Sequence, residues 1–144
     1  MAALDKNRSL IRLSESTRTD FGRVNFSDQG DAQKVFSSIW ELESQVNNGG
    51  FDAYLRNSDA DAIAYAPTAL RNVGANQCAA IVDRALQLLD PLPSTRDARE
   101  DALDALDSEA FEALDAEFLG YPDDLTDLLF AFVSTRPETF GIMS

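Results

Sequence analysis

Apolar residues along this chain recur at helical spacing, in short blocks separated by turn residues. The clearest block follows Ser27 or Asp28, either of which can cap a helix. In it Val35, Phe36, Ile39, Leu42 and Val46 share one face, with Trp40 beside them. The block closes at Asn47-Asn48, and Asn47-Asn48-Gly49-Gly50 predicts a four-residue turn that reverses the chain, because Asn and Gly accept the left-handed conformation that closes a helix. A short second helix, about Phe51 to Arg56, then presents Phe51, Tyr54 and Leu55, with Phe51 and Tyr54 filling the seam against Trp40.

Asn57-Ser58-Asp59 stops that helix and caps a third, about Asp59 to Val73, whose buried stripe is Ile63, Ala66, Leu70 and Val73. Pro67 predicts a kink or break near Ala66, since its ring removes a helical donor and crowds the preceding turn. Asn76 caps a fourth helix through Leu89, and Asp90-Pro91-Leu92-Pro93 breaks the chain. Ser94 or Thr95 caps a fifth helix through about Asp107. Ser108 caps a sixth, with Phe111, Leu114 and Phe118 inward. After the turn Gly120–Asp124, a seventh spans about Leu125 to Ser134, and Pro137 blocks its continuation.

Residues 1–26 are poorly patterned: Leu10, Ile11 and Leu13 fit a short helix or an extended arm, and the segment Phe21 to Phe26 can pack on the domain. No strand-like alternation and no internal repeat is visible. The pattern predicts an all-α fold, a single-domain irregular bundle of about six to seven short helices. Residues 1–26 form an N-terminal arm or short helix, and 27–144 the helical domain with an acidic C-terminal third.

Composition narrows the chemistry. At 144 residues and 44% apolar, the chain can bury a core despite a net charge of −13. It contains no histidine and one cysteine, Cys78, which excludes Ser-His and Cys-His nucleophile systems, His-containing zinc sites and four-thiolate zinc sites. Cys78, beside Ala79 and Ala80, reads as a small buried residue. No phosphate-binding glycine loop is present. Asp123, Asp124 and Asp127 lack the spacing of a calcium loop, and nothing marks a pair such as Glu109 and Glu112 as matched acids across a cleft. The sequence therefore predicts no catalytic residue, no metal site, no cofactor and no enzyme. No apolar run approaches the roughly 18–20 residues of a membrane span, and the N-terminus lacks a signal-peptide core. Together with the lone cysteine, this predicts a cytoplasmic protein.

Charge is segregated. Residues 97–144 hold two basic residues, Arg99 and Arg136, against thirteen acids, a net of −11. On the fifth helix Asp97, Glu100, Asp101, Asp104 and Asp107 fall at i, i+3, i+4, i+7 and i+10, along one side. Helical neighbours at that spacing lie about 5–6 Å apart at Cβ, and DNA phosphates step by about 3.4 Å of axial rise per strand. A carboxylate row can therefore resemble part of a phosphate row. The bland alternative is a solvated face that serves solubility. A field of one sign repels nucleic acid and membranes and attracts cations. The candidate partner-binding surface is thus Asp97, Glu100, Asp101, Asp104, Asp107, Glu109, Glu112, Asp115, Asp123, Asp124 and Asp127, facing a basic protein such as a DNA-binding protein. A homodimer is compatible with the pattern.

The segment from Glu41 to Ser58, followed by Ala69-Leu-Arg-Asn-Val-Gly-Ala75, resembles a bacterial family of small helical proteins long described as a domain of unknown function. Its members share an E-x-E-x-x-V-x-N-G-G-F-x-x-Y/F-x-x-N-S block and then A-L-x-x-I/V-G-A. The segments Phe111–Asp115 and Asp123–Leu129 also resemble the family, so the likeness covers about Val35 to Phe132. Ala53-Tyr54 departs from the usual Gln-Tyr/Phe. The family includes an acidic DNA mimic that occupies the DNA-binding surface of a transcription regulator, and the resemblance implies the same class of action here. The family-motif residues are Asn47, Asn48, Gly49, Gly50, Phe51, Tyr54 and Asn57, which build a turn or line a pocket. The rival reading is an interaction or immunity-type module that grips a protein segment through this region, with the acidic surface serving solubility. A deep apolar pocket near Asn47 and Tyr54 would favour that rival.

Overall fold

The computed structural model describes residues 3–143; Met1, Ala2 and Ser144, end positions of the two predicted segments, lie outside the described residues. Eight helices and no strand occur among the described residues, so the all-α expectation holds. They are α1 (Ala3–Ser14), α2 (Asp31–Asn57), α3 (Ala60–Asn72), α4 (Asn76–Gln87), α5 (Arg96–Asp104), α6 (Glu112–Leu119), α7 (Leu125–Ser134) and α8 (Pro137–Phe140). The long α2 is the hub: it packs on α3, α5 and α6. Helix α4 bridges α3 and α6, and α1 lies against α7. The predicted stripes face inward, with Phe36, Ile39, Leu42, Leu55, Ile63 and Leu70 fully buried. Leu10 and Leu13 of α1 join the same core, and Phe140 of α8 closes it against Phe36 and Phe132.

Several boundaries differ from the sequence expectation, each for a visible reason. Helix α2 starts at Asp31 after Gly30. Ser27 and Asp28 sit in a single 3₁₀ turn, Phe26–Asp28, that precedes it. Buried Gln29 holds that loop by donating to the carbonyls of Asp20 and Val24 while accepting from the Ser37 hydroxyl at 2.7 Å. The Asn-Asn-Gly-Gly turn contracts to a two-residue break inside α2, at Gly49 (φ −159°, ψ 23°) and Gly50 (φ 73°, ψ −172°). Helix α3 runs through Pro67 without interruption, and Pro67 is buried against the core. Asn76 is the first residue of α4 and not its cap, and that helix stops at Gln87. Thr95 caps α5 as expected, its hydroxyl accepting from the Ala98 amide at 3.2 Å. Helix α5 ends at Asp104, and beyond it the Asp107 carboxylate accepts from the Glu109 amide at 3.0 Å in a turn. Asp107 is therefore off the helical row, and Phe111 rather than Ser108 flanks α6. Pro137 ends α7 but opens α8, where a missing amide costs nothing.

Candidate functional site

The two informative features of the sequence, the glycine break and the acidic third, meet in space. A groove of about 580 Å³ runs between the second half of α2 and the α5–α6 segment, and its lining includes Gly49, Asp52, Arg56, Asp104, Asp107, Glu112 and Asp115. Arg56 is the cation of that lining. Its guanidinium donates to both oxygens of Asp52, at 2.8 and 3.2 Å, and to Asp104 at 2.8 Å, strapping α2 to α5.

Asp115 has a task that its place in the acidic third conceals. Its Oδ1 accepts from the Phe51 amide at 2.8 Å, which caps the helical segment that restarts after the break. A Cβ on Gly50 would lie 2.5 Å from the Asp115 carboxylate. Gly50 is therefore required twice, by its positive φ and by the close approach of Asp115. Asp123 does the same for α4: its Oδ2 accepts from the Cys78 amide at 2.8 Å, and its Oδ1 from the Gln77 side chain at 3.3 Å. Asp124 caps its own helix, accepting from the Asp127 amide at 3.0 Å. Asp127 pairs with Lys6 of α1. Glu100 lies 3.9 Å from Arg96.

What remains uncommitted is narrower than the sequence candidate. Asp97, Asp101, Glu109 and Glu112 are exposed and make no side-chain hydrogen bond or ion pair among the described residues. The two cations of residues 97–144 do not relieve them. Arg99 is buried and donates to the carbonyls of Leu55 (2.9 Å) and Ser58 (2.7 Å) at the end of α2. Arg136 stacks 3.7 Å from the centre of the Phe132 ring and donates to the Phe132 carbonyl.

The motif residues divide between core and surface. Phe51 and Tyr54 are buried. The ring neighbours of Phe51 are Tyr54, Phe111 and Phe118, while Trp40 stacks on Phe36 at 5.6 Å, so the expected seam against Trp40 does not form. No group among the described residues bonds the buried Tyr54 hydroxyl. Ser58 donates to Glu41 at 2.9 Å. Asn47 is exposed and donates to the Glu43 carbonyl at 2.7 Å and to the Tyr121 hydroxyl at 3.0 Å. Asn48 is exposed, and Asn57 accepts from Arg96 at 2.9 Å.

Beside Asn47, where the motif was expected to build a turn or line a pocket, lies a smaller cavity of about 210 Å³ between α1, α2 and the start of α7. Tyr54 takes no part in it. Glu43 lines this cavity, and burial pushes its carboxyl up to about 7. A long hydrogen bond from Tyr121 (3.5 Å) opposes that rise, and the Asp124 charge adds to it. Cys78 is fully buried, and burial holds its thiol up at about 11, far from a neutral-pH nucleophile. No group of His, Cys, Asp or Glu suited to hold a metal ion occurs among the described residues. No helix among them is long and apolar enough to cross a membrane.

No curated protein and no solved structure matches the chain. A family model described as DMP19-like protein matches residues 28–136, a span that includes the α2 break, the acidic row and the capping aspartates. The chain belongs to the DMP19-like protein family.

Proposed function

We propose that this protein is a non-enzymatic DNA mimic that binds a basic, DNA-binding protein, a transcription regulator of the bacterial cytoplasm, and occupies its nucleic-acid-binding surface. The family, whose name denotes a DNA mimic, supports the class of action. The observation that carries the reading for this chain is the unpaired set Asp97, Asp101, Glu109 and Glu112 on the rim of the acidic segment, with Asp104 and Asp107 between them. A soluble domain does not need its like charges segregated. Carboxylates one helical turn apart repel by a few tenths of a kcal/mol per pair, and here the local cations are turned to structural use. The mechanism is steric and electrostatic competition, with no chemical turnover and no role for a single catalytic side chain. Asp115, Asp123 and Asp124 act in it by shaping the surface, since their oxygens hold backbone amides.

The test uses a variant with Asp97→Asn, Asp101→Asn, Glu109→Gln and Glu112→Gln, none of which breaks an internal bond. Wild type and variant are used to capture the basic partner from host lysate, and the partner is then titrated with this protein and with its own DNA site. Mutual exclusion of protein and DNA, loss of binding in the variant through slower association, and weakening with added salt are expected. A ternary complex with DNA, or unchanged affinity of the variant, would overturn the reading.

A further inference from the structure

We propose that the cavity beside Asn47 is a second binding site, which takes one lysine or arginine side chain of a partner protein against the Glu43 carboxylate. The cavity joins an apolar wall, Leu10, Ile11 and Trp40, to the polar groups of Glu43, Asn47 and Thr126. That combination matches a cationic side chain, which is an apolar stem ending in a charge. At about 210 Å³ the space is below the roughly 300–1,000 Å³ of small-molecule sites, and it suits a single side chain. Trp40 is held in place by its stack on Phe36, and the chain's charge of −13 draws cations.

Glu43 lacks a counter-charge. Among the described residues it makes no ion pair, and its carboxylate receives only the 3.5 Å contact from the Tyr121 hydroxyl. The neighbouring groups cannot supply one. The loop before α7 brings the Tyr121 hydroxyl and the Asp124 carboxylate, α4 brings the Cys78 thiol, and α7 brings Thr126. Helix α1 contributes the neutral Asn7, while its Lys6 is paired with Asp127. A carboxylate withdrawn from water without a cation is costly and tends to stay protonated. An incoming ammonium or guanidinium reverses that balance, so binding expels a proton near neutrality and tightens as pH rises.

This inference shares with the proposed function the premise of a basic partner, but the acidic row takes no part in it. Trp40 is the only tryptophan, so its fluorescence reports on the cavity directly. The probes are n-butylammonium and n-butylguanidinium, with n-butanol as the neutral control, titrated into the full chain at pH 6 and pH 8. Saturable quenching or shift by a cation and not by n-butanol is expected. Binding should be roughly tenfold tighter at pH 8, because the ionised fraction of Glu43 grows about that much. Glu43→Gln should abolish binding at both pH values. The tighter of the two cations identifies the side chain. Absence of a saturable response, an equal response to n-butanol, or pH-independent binding retained in Glu43→Gln would overturn the inference. The acidic-row variant leaves this cavity's lining unchanged, so undiminished cation binding in it is expected even where partner binding is lost, and loss of cation binding there would overturn the inference.

Discussion

At position 50 a single hydrogen atom decides whether two halves of the chain fit. Any side chain there meets both an unfavourable positive φ, about 1–2 kcal/mol, and the Asp115 carboxylate. Gly50→Ala is expected to cost about 2–3 kcal/mol in urea unfolding, the backbone penalty plus loss of an N-terminal cap worth about 1 kcal/mol. Asp115→Asn keeps an acceptor for the Phe51 amide and is expected to cost less than Asp115→Ala. Equal losses for the two would show that the cap contributes nothing. Tyr54 gives the opposite sign. Its buried hydroxyl finds no partner among the described residues, so Tyr54→Phe is expected to leave the melting temperature unchanged or raise it. A loss above about 1 kcal/mol would contradict that. Glu43 gives a pH dependence. Its folded pKa, raised from 4.5 to about 7, means that the native state binds more protons than the unfolded chain between those values. Its contribution to stability is therefore best below about 4.5 and is lost as pH rises through about 7. Glu43→Gln is expected to stabilise the protein at pH 8 by on the order of 2 kcal/mol and to have little effect at pH 5. Thermal melts of both proteins across that range check the sign.

Among the elements, the strap from α5 to the end of α2 depends on Arg99. Its guanidinium satisfies the carbonyls of Leu55 and Ser58, and removing it strands both in a buried place. Arg99→Met is expected to cost about 2–6 kcal/mol, from two acceptors at roughly 1–3 kcal/mol each. Arg99→Lys should recover only part, because an ammonium lacks the planar fork. A melting temperature equal to wild type in Arg99→Met would refute the strap. The elements legible in the sequence are those whose signals are local. The bounds Leu125–Ser134 of α7 agree at both ends, because Asp124 and Pro137 stand beside them. The apolar stripes of α2 and α3 read correctly from their spacing. Hidden were the features set at a distance. Phe51 is capped by a residue 64 positions away. The α4 amide at Cys78 is capped from 45 positions away. Helix α3, which continues through the buried Pro67, packs on α2 and α4, and neither contact is visible in local sequence. At the candidate site, the family motif and the acid segregation were visible as two features. Their meeting in one groove was not, nor was the division of the acids into capping, paired and free.

For the whole molecule, the charge of −13 acts on folding and binding with opposite signs. Self-repulsion opposes the compact state and is screened by salt, whose Debye length falls from about 30 Å at 0.01 M to about 10 Å at 0.1 M. Raising salt over that range is expected to increase the melting temperature while weakening the basic partner's binding. A melting temperature that falls together with affinity would mean that the six ion pairs among the described residues outweigh the net repulsion. Neutralising Asp97, Asp101, Glu109 and Glu112 should reproduce part of the salt effect on stability without added salt.

The distant caps also bear on synthesis. A ribosome releases the chain from its N-terminus, so the amides of Phe51 and Cys78 emerge long before Asp115 and Asp123 can meet them. Until then the second half of α2 and the start of α4 lack their caps, and Phe51 lacks the Phe111 and Phe118 rings. The nascent N-terminal portion is thus a partner in waiting. The acidic segment, made later than the helices it caps, completes them, and a chain cut short before residue 115 forfeits order far upstream of the cut.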